Sequence, residues 1–292
     1  MDNSFFDPRK TKGIRFSAWR LYVGKASIHL FLILGCLVTL IPFIWMILAS
    51  FKTQAEITQI PPTFFPKNPT FSAYRTLLSD PRVPLLRYYL NSIIQAVSVV
   101  GLTLITSSLA GFVFSKYKFF ARNALFAIIL SSMMIPFQAV MIPSYLLLVK
   151  LKLIDSLWGL IVPSAVSAYG IFLMKSFIDS LPDETLDAAR IDGASEYGVY
   201  WRVVLPQLGP PLATLGILTF MSNWNHFLWP LIVITSSDKR TLPIILTLYN
   251  DINYQRYDLN MAAGVMVIVP ILIVYIFVQR YIVKGYALSG IK

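Results

Sequence analysis

Six stretches of this chain contain no Asp, Glu, Lys or Arg, and they restrict its possible folds more than any other feature. They are Ala26–Phe51, Tyr88–Ser115, Asn123–Val149, Ser156–Met174, Val203–Ser237 and Leu259–Gln279. Each is long enough to cross about 30 Å of hydrocarbon as a helix. Because 56% of the residues are hydrophobic and only 13% are charged, a soluble globular protein is excluded. The sequence therefore predicts an all-α polytopic membrane protein with six transmembrane helices.

The residues between the runs predict the orientation and the division of the chain. Basic residues cluster in the tail before the first span, and such residues favour the cytoplasmic side. They are Arg9, Lys10, Lys12, Arg15, Arg20 and Lys25. Since the number of spans is even, both termini are expected to be cytoplasmic, in a multi-pass protein of the inner or plasma membrane. The expected divisions are a tail at 1–27, the first transmembrane helix at 28–50, an extracytoplasmic loop at 51–87, a five-helix core at 88–283 and a cytoplasmic tail at 284–292.

Prolines and one external loop lead to two further expectations. Prolines in or at the ends of five runs predict kinked helices. They are Pro42, Pro136, Pro143, Pro163, Pro210, Pro211, Pro230 and Pro270. In the last external loop, Thr235–Asp258, the apolar stretch Leu242–Leu248 stands beside Tyr249, Tyr254 and Tyr257. This patch either docks a partner or anchors the loop at the membrane interface, and both alternatives stay open.

Several kinds of chemistry have no basis in this sequence. Cys36 is the only cysteine, and His29 and His226 are the only histidines, so no metal site built on these residues is expected. There is no GxxxxGK[ST] phosphate loop and no HExxH motif, so we expect no catalytic residues and no cofactor bound by this chain. Ion-coupled carriers usually keep ionisable residues inside their spans, which these runs lack. The net charge of +11 is scattered over tails and loops, which favours anionic lipid over nucleic acid as a partner.

The apolar runs do carry neutral polar groups and tryptophans. In the second run, Asn91, Gln95 and Ser98 recur at i, i+4 and i+7, on one helix face. The candidates for a substrate pathway are Asn91, Gln95, Gln138, Asn223, Asn225, His226 and Trp229, with Ser164, Ser167 and Trp224 as further polar or indole groups. Buried amides need hydrogen-bond partners, which a polyhydroxylated sugar offers, and indole rings can cover its CH faces. The alternative is that these groups bond neighbouring helices, at about 0.6 kcal/mol per bond.

The polar segment Leu181–Pro206, between two apolar runs, reads LPDETLDAARIDGASEYGVYWRVVLP and predicts two short helices joined by a hinge. Pro182 suits a first helical position, and the carboxylates that follow it suit the positive end of a helix dipole. Gly193 suits a helix stop, and Ser195 can cap a second helix. In that second helix an apolar stripe is expected to lie along the bilayer interface. Its members are Tyr197, Tyr200, Trp201 and Val204.

The same segment resembles a family signature. Asp187-Ala188-Ala189 is followed after three residues by Gly193, then after nine by Val203, and after one more by Leu205-Pro206. This pattern closely resembles the EAA loop of ABC import permeases, with Asp187 in place of the usual Glu and Val203 in place of the usual Ile. We call Leu181–Pro206 the EAA-like segment. Three further stretches resemble the smaller carbohydrate permeases of the maltose type: LAGFVFSKYKF, MIPFQAVMIPSYLLLVKLKLIDSLWGLIVP and FMSNWNHFLWPLIV.

The resemblance implies a type I ABC importer permease with a cytoplasmic EAA coupling helix. The implied partners are a second homologous permease in a heterodimer, two cytoplasmic ATPase subunits that carry ATP and Mg, an extracytoplasmic binding protein that delivers a carbohydrate, and membrane lipid. The residues that the resemblance assigns to ATPase coupling are Asp187, Ala188, Ala189, Asp192, Gly193, Leu205 and Pro206. Asp187 and Asp192 either pair with basic residues of the ATPase or cap and solvate their own helix. A secondary sugar carrier and a membrane protein of structural or enzymatic role remain alternatives.

Overall fold

The computed structural model describes residues 8–249 and 255–289, and between these limits it contains helices and no β-strand. The α-helices are α1 Pro8–Ala49, α2 Gln54–Ile57, α3 Ser72–Ser79, α4 Leu85–Lys116, α5 Arg122–Ser132, α6 Phe137–Lys150, α7 Leu157–Ile161, α8 Ala168–Ile178, α9 Asp183–Ile191, α10 Glu196–Val199, α11 Leu205–Gln207, α12 Gly209–Trp224, α13 Leu228–Val233, α14 Ile245–Leu248 and α15 Tyr257–Ser289. Short 3-10 turns lie at Val162–Ser164, Ser237–Lys239 and Leu242–Ile244, and a π-helical turn lies at Tyr200–Val204. The tail residues Arg9, Lys10, Lys12, Arg15 and Arg20, used above for orientation, lie outside the described side chains, as does Tyr254.

Candidate membrane spans account for all six apolar runs, but only three are unbroken helices. The unbroken ones are Ser27–Ala49, Leu85–Lys116 and Tyr257–Phe277. The other three are bent pairs: Arg122–Ser132 with Phe137–Lys150 at 100°, Leu157–Ser164 with Ala168–Ile178 at 41°, and Glu196–Gln207 with Gly209–Trp224 at 77°. If each bent pair is one span, the described residues contain up to six spans by length and composition.

The bends occur next to prolines, as the sequence predicts for the middle runs. Pro136 is the extended residue before α6, Pro163 lies in the 3-10 turn after α7, and Pro210 lies in the first turn of α12. Proline lacks an N–H and clashes with the preceding turn, so it starts helices more easily than it continues them. The long helices α1 and α15 nevertheless continue through Pro42 and Pro270.

The fifth apolar run, Val203–Ser237, differs from a single helix. It contains α11, the main helix α12 and then α13, which begins only at Leu228. The end of α12 tightens because the His226 N–H donates to the carbonyl of Asn223, three residues back, at 3.2 Å. The run is therefore longer than one membrane crossing needs, and its last third forms a separate short helix.

Helix α4 is the centre of the bundle, and small residues let its neighbours approach closely. A Cβ added at Gly111 of α4 would lie 2.6 Å from the Cβ of Met174 in α8. A Cβ at Gly170 of α8 would lie 2.3 Å from the hydroxyl oxygen of Ser107 in α4. Contacts of this kind are typical of membrane helices that pack through Gly and Ser. Helix α12 packs on another side of α4 and also against α15, which in turn contacts α1.

In the loop Thr235–Asp258, the stretch Leu242–Leu248 packs against the protein, whereas Tyr257 is 40% exposed, so both alternatives stay open for this tyrosine alone. Leu242 and Ile245 are buried in a core with α3 and α15, and Ile244 is also buried. The ring of Tyr249 is also buried, and its hydroxyl lies 3.1 Å from a carboxylate oxygen of Asp80. The patch therefore closes the bundle at the Leu85 end of α4. Spacing alone could not show this, because the covering helix α3 is far away in the sequence.

Candidate functional site

The EAA-like segment begins with a short helix and a glycine turn. Helix α9 follows Pro182, has Asp183 and Glu184 in its first turn and ends before Asp192. Gly193 then has φ +83°, in the left-handed region that glycine adopts without the cost of a Cβ. The predicted helix and its glycine stop are thus confirmed. Only Pro182 differs: its ψ of 131° makes it the extended residue before the helix, not the first helical residue.

The second part of the segment forms one helical run that a wider turn interrupts. The hydroxyl of Ser195 accepts a bond from the Gly198 N–H at 3.3 Å, as predicted for a cap. After α10 comes the π-helical turn, in which the Leu205 N–H donates to the Tyr200 carbonyl, five residues back. This wider turn divides the predicted stripe, because it breaks the 3.6-residue period. Tyr200 and Val204 are buried in the core, whereas Tyr197 and Trp201 are exposed.

The end of α4 holds the start of α9. The Lys116 ammonium donates to the carbonyl of Leu181 at 2.7 Å and to Asp183 Oδ1 at 2.6 Å. Only 8% of the Lys116 side chain is exposed. The hydrogen bond from Lys116 and its positive charge lower the pKa of the Asp183 carboxyl. One residue earlier, the Ser115 hydroxyl donates to Asp179 Oδ1 at 2.7 Å.

A second group of bonds closes the glycine turn. The Arg190 guanidinium donates to Glu196 Oε1 at 2.9 Å and to Asp187 Oδ1 at 2.8 Å. The Tyr117 hydroxyl donates to Glu196 Oε2. Asp187 therefore has a basic partner within its own helix, while Asp192 stands exposed at the end of α9.

The rest of α9 has one buried side and one exposed side, and the exposed side carries Ala188 and Ile191 beside the polar residues Glu184 and Thr185. Leu186 is buried and Ala189 packs on the core beneath the segment, together with Leu205. Ala188 is exposed, Pro206 is exposed, and Ile191 is 86% exposed. From the sequence we expected Ala188 to take part in the contact, but Ile191 and Arg190 were missed. The signal was present, because Ile191 stands three residues after Ala188 and therefore shares its helix face.

Some of the predicted pathway residues line a cleft of about 320 Å³ between α4, α8 and α12. Asn223 and His226 are among them, and so are Ser164 and Ser167. The full lining is Thr103, Ser164, Val166, Ser167, Tyr169, Leu215, Leu218, Thr219, Ser222, Asn223 and His226. These residues present hydroxyl, amide and imidazole groups and no carboxylate, ammonium or guanidinium. Thr219, Ser222, Asn223 and His226 have the spacing i, i+3, i+4 and i+7, a signal from which Thr219 and Ser222 could have been predicted.

The other pathway candidates lie elsewhere. Asn91 donates to the carbonyls of Asp238 and Arg240 at 2.9 and 3.0 Å, Gln95 is buried in the core, and Gln138 is exposed near the start of α6. Asn225 is exposed and donates to the carbonyl of Met221 at 2.9 Å. Trp229 is 1% exposed, and its indole N–H donates to the carbonyl of Gly159 at 3.1 Å. In this conformation Trp229 therefore fills the core and does not face the cleft.

At the Leu85 end of α4, Asp80 joins two loops. It accepts from the Arg82 guanidinium at 2.8 and 3.0 Å and from the Tyr249 hydroxyl at 3.1 Å. The Arg82 hydrogen bond is the main reason that the pKa of the Asp80 carboxyl falls to about 2; burial opposes this shift, and the Tyr249 bond supports it.

Comparisons with known proteins agree with this architecture. Residues 89–287 match the family described as "Binding-protein-dependent transport system inner membrane component". Among curated relatives, the arabinooligosaccharides transport system permease protein AraQ of Halalkalibacterium halodurans is 36% identical over 97% of this chain and 99% of its own length. The lactose transport system permease protein LacG of Rhizobium radiobacter is 30% identical over 86% of this chain and 91% of its own.

A solved structure is also similar. It is a chain of a bacterial ABC transporter involved in the import of the acidic polysaccharide alginate, with a TM-score of 0.77 and 28% sequence identity. The match covers 89% of this chain and 96% of the other.

Proposed function

The chain belongs to the family of binding-protein-dependent transport system inner membrane components, and from that premise we propose that it is the permease subunit through which an ATP-driven importer moves a carbohydrate. The main evidence for a carbohydrate substrate is the neutral lining of the cleft, where hydroxyl, amide and imidazole groups face open space. Such groups suit a polyhydroxylated ligand, which can satisfy donors and acceptors alike. The names of relatives, which include arabinooligosaccharide, lactose and diacetylchitobiose transport, support the same class.

The proposal includes the partners that such a permease needs. A second, homologous permease completes the pathway as a heterodimer, and an extracytoplasmic binding protein delivers the sugar. Two cytoplasmic ATPase subunits bind ATP and Mg and dock on the exposed face of α9, where Ala188 and Ile191 are open. This chain itself binds no cofactor and catalyses no reaction. A secondary carrier is the second candidate, and the cleft disfavours its ion-coupled form because the lining contains no carboxylate.

The test is sugar uptake into vesicles that contain the purified complex, with a panel of mono- and oligosaccharides delivered by the binding protein. We expect uptake of one class of sugar, and only when ATP is present on the side of the membrane where the ATPase subunits are. Uptake that continues without ATPase subunits and follows an ion gradient would favour the secondary carrier instead.

For orientation, we propose that both termini and the EAA-like segment are cytoplasmic. In a Cys36→Ser background, Lys67→Cys should react with an impermeant thiol reagent in intact cells, whereas Ser195→Cys should react only after the membrane is opened. Asp251→Cys should label like Lys67→Cys, although this position lies outside the described residues. The reverse pattern would overturn the orientation.

A further inference from the structure

We propose that Ser115, Lys116 and Tyr117, at the end of α4, are positioning residues that grip both ends of α9 and make it move together with α4. We call these three residues the clasp. The proposal rests on the coupling function proposed above for the EAA-like segment. It names the groups that link this segment to the cleft.

The first half of the clasp holds the start of α9. Lys116 bonds the Leu181 carbonyl and the Asp183 carboxylate, one on each side of Pro182. An ammonium that is so little exposed has exchanged most of its water for these two acceptors, so it fixes their positions. Ser115 adds a bond to Asp179, which also accepts from Lys175 of α8 at 2.6 Å. The peptide that leads from α8 into α9 is thus tied to α4.

The second half holds the end of α9. Tyr117 reaches past the glycine turn to Glu196, and Glu196 holds Arg190, which lies in the last turn of α9. The Tyr117 ring is itself fixed, because it packs edge-on against Phe112 of α4 with the ring centres 5.5 Å apart. Two consecutive residues therefore reach opposite ends of one short helix.

Helix α4 also connects the clasp to the cleft. It runs without a break from Leu85 to Lys116. Thr103 lines the cleft, and Thr106 donates to the Ala165 carbonyl at 3.0 Å beside it. At a rise of 1.5 Å per residue, Thr103 lies about 20 Å along the helix axis from Lys116. A tilt of α4 at the cleft would therefore displace both ends of α9 at once.

The bonds of the clasp act on geometry more than on the stability of the fold. The carboxylates of the clasp stay in contact with water, because the Asp183 side chain is 76% exposed and the Glu196 side chain is 48% exposed. Water screens charges at such positions, so these bonds add little to the stability of the fold. What the bonds do is to fix the direction in which the open face of α9 points, which matters only when a second protein docks there.

The experiment uses the complete transporter in proteoliposomes and compares ATP hydrolysis with and without the binding protein loaded with the best sugar of the uptake panel. Tyr117→Phe removes a single hydroxyl and keeps the ring. Its matched control is Tyr89→Phe, which removes the hydroxyl that donates to the Met266 carbonyl at 2.9 Å. Lys116→Met removes the ammonium, and Lys116→Arg restores a cation with several donors.

We expect Tyr117→Phe and Lys116→Met to lower the stimulation by the loaded binding protein about fivefold or more, within the usual range of coupling between sites. The ATPase subunits should still co-purify, and Tyr89→Phe and Lys116→Arg should keep most of the stimulation. Normal stimulation in Tyr117→Phe would overturn the clasp, and this variant decides the matter if Lys116→Met fails to assemble. The docking of the ATPase subunits on α9, on which the clasp depends, is tested separately with Ala188→Trp. Unchanged ATPase binding in that variant would overturn the docking function of α9.

Discussion

The EAA-like segment and the cleft lie at two places along α4 and are held in opposite ways. Around the EAA-like segment, charged groups bond across elements, as Lys116 does to Asp183 and Tyr117 to Glu196. In the cleft the bonds join neutral groups: Asn223 and Ser167 bond within their own helices, and Thr103 of α4 donates to the Ser164 carbonyl at 3.3 Å. Asn223 donates to the Thr219 carbonyl at 2.9 Å, and Ser167 caps α8 by accepting from the Gly170 N–H at 3.0 Å.

The difference fits the two tasks that we propose for these regions. A surface that transmits movement to another protein needs one fixed geometry, which charge-assisted bonds between elements provide. A cleft that binds and releases a ligand needs groups that can exchange partners at low cost. Neutral hydrogen bonds contribute about 0.5–1.5 kcal/mol each, so a ligand hydroxyl can replace them. Substitutions in and around the two regions test this difference.

Trp229→Ala should destabilise the protein, because this ring belongs to the scaffold beside the cleft and not to its lining. The substitution leaves a cavity and an unpaired Gly159 carbonyl, a change that typically costs about 3–5 kcal/mol. The yield of assembled complex and its melting temperature should fall, whereas Trp201→Ala, at an exposed ring, should change them little. If Trp229 lined the substrate pathway, for which the sequence made it a candidate, transport would instead fall while assembly was kept. Normal assembly with lost transport would return Trp229 to the pathway.

Ala188→Trp should weaken ATPase docking without disturbing this chain. Because Ala188 is exposed, an indole at this position meets no obstacle within the chain. In a close contact with a partner, however, the larger side chain overfills the space, which costs about 1–3 kcal/mol of binding free energy. Co-purification of the ATPase subunits should fall roughly fivefold to a hundredfold. Ala124→Trp, at an exposed alanine of α5, serves as the control. Equal co-purification for both variants would mean that α9 does not dock the ATPase.

Asn223→Leu should lower sugar transport more than Asn225→Leu, because only Asn223 lines the cleft. The loss of one hydrogen bond to the sugar predicts a decrease in transport of roughly three- to tenfold, with basal ATP hydrolysis and assembly kept. Initial uptake rates over a range of sugar concentrations provide the measurement. If the two variants transport equally well, the amides act only within their helix.

The smallest effect is a pH dependence at the Leu85 end of α4. Because bonds from Arg82 lower the pKa of Asp80 to about 2, ionised Asp80 stabilises the folded state. That contribution is complete above the unfolded value of about 4 and is lost as the pH falls through 2. The melting temperature of the detergent-solubilised protein should therefore fall less steeply between pH 4 and 2 in Asp80→Asn than in the wild type. Identical slopes would contradict this assignment.

Features that depend only on residues close together in the chain could be predicted from the sequence. The six uncharged runs predicted the candidate spans, since the length of hydrocarbon to be crossed fixes the length of an apolar helix. The α9 helix, the positive φ of Gly193 and the Ser195 cap followed from local backbone preferences and are present in the structure. The family resemblance also came from residues close together in the chain.

Which side chains meet depends on how the helices pack. Asn223 and Asn225 stand two residues apart and look alike in sequence, yet the rotation of α12 against α4 and α8 places one in the cleft and leaves the other outside it. The sequence also did not show that the Trp229 ring is buried, or that a π-helical turn divides the Tyr197–Val204 stripe into buried and exposed residues. Helix rotation, close approach at glycines and the widening of one turn depend on residues distant in the sequence. For that physical reason, local patterns predicted the helices but not the site that they form.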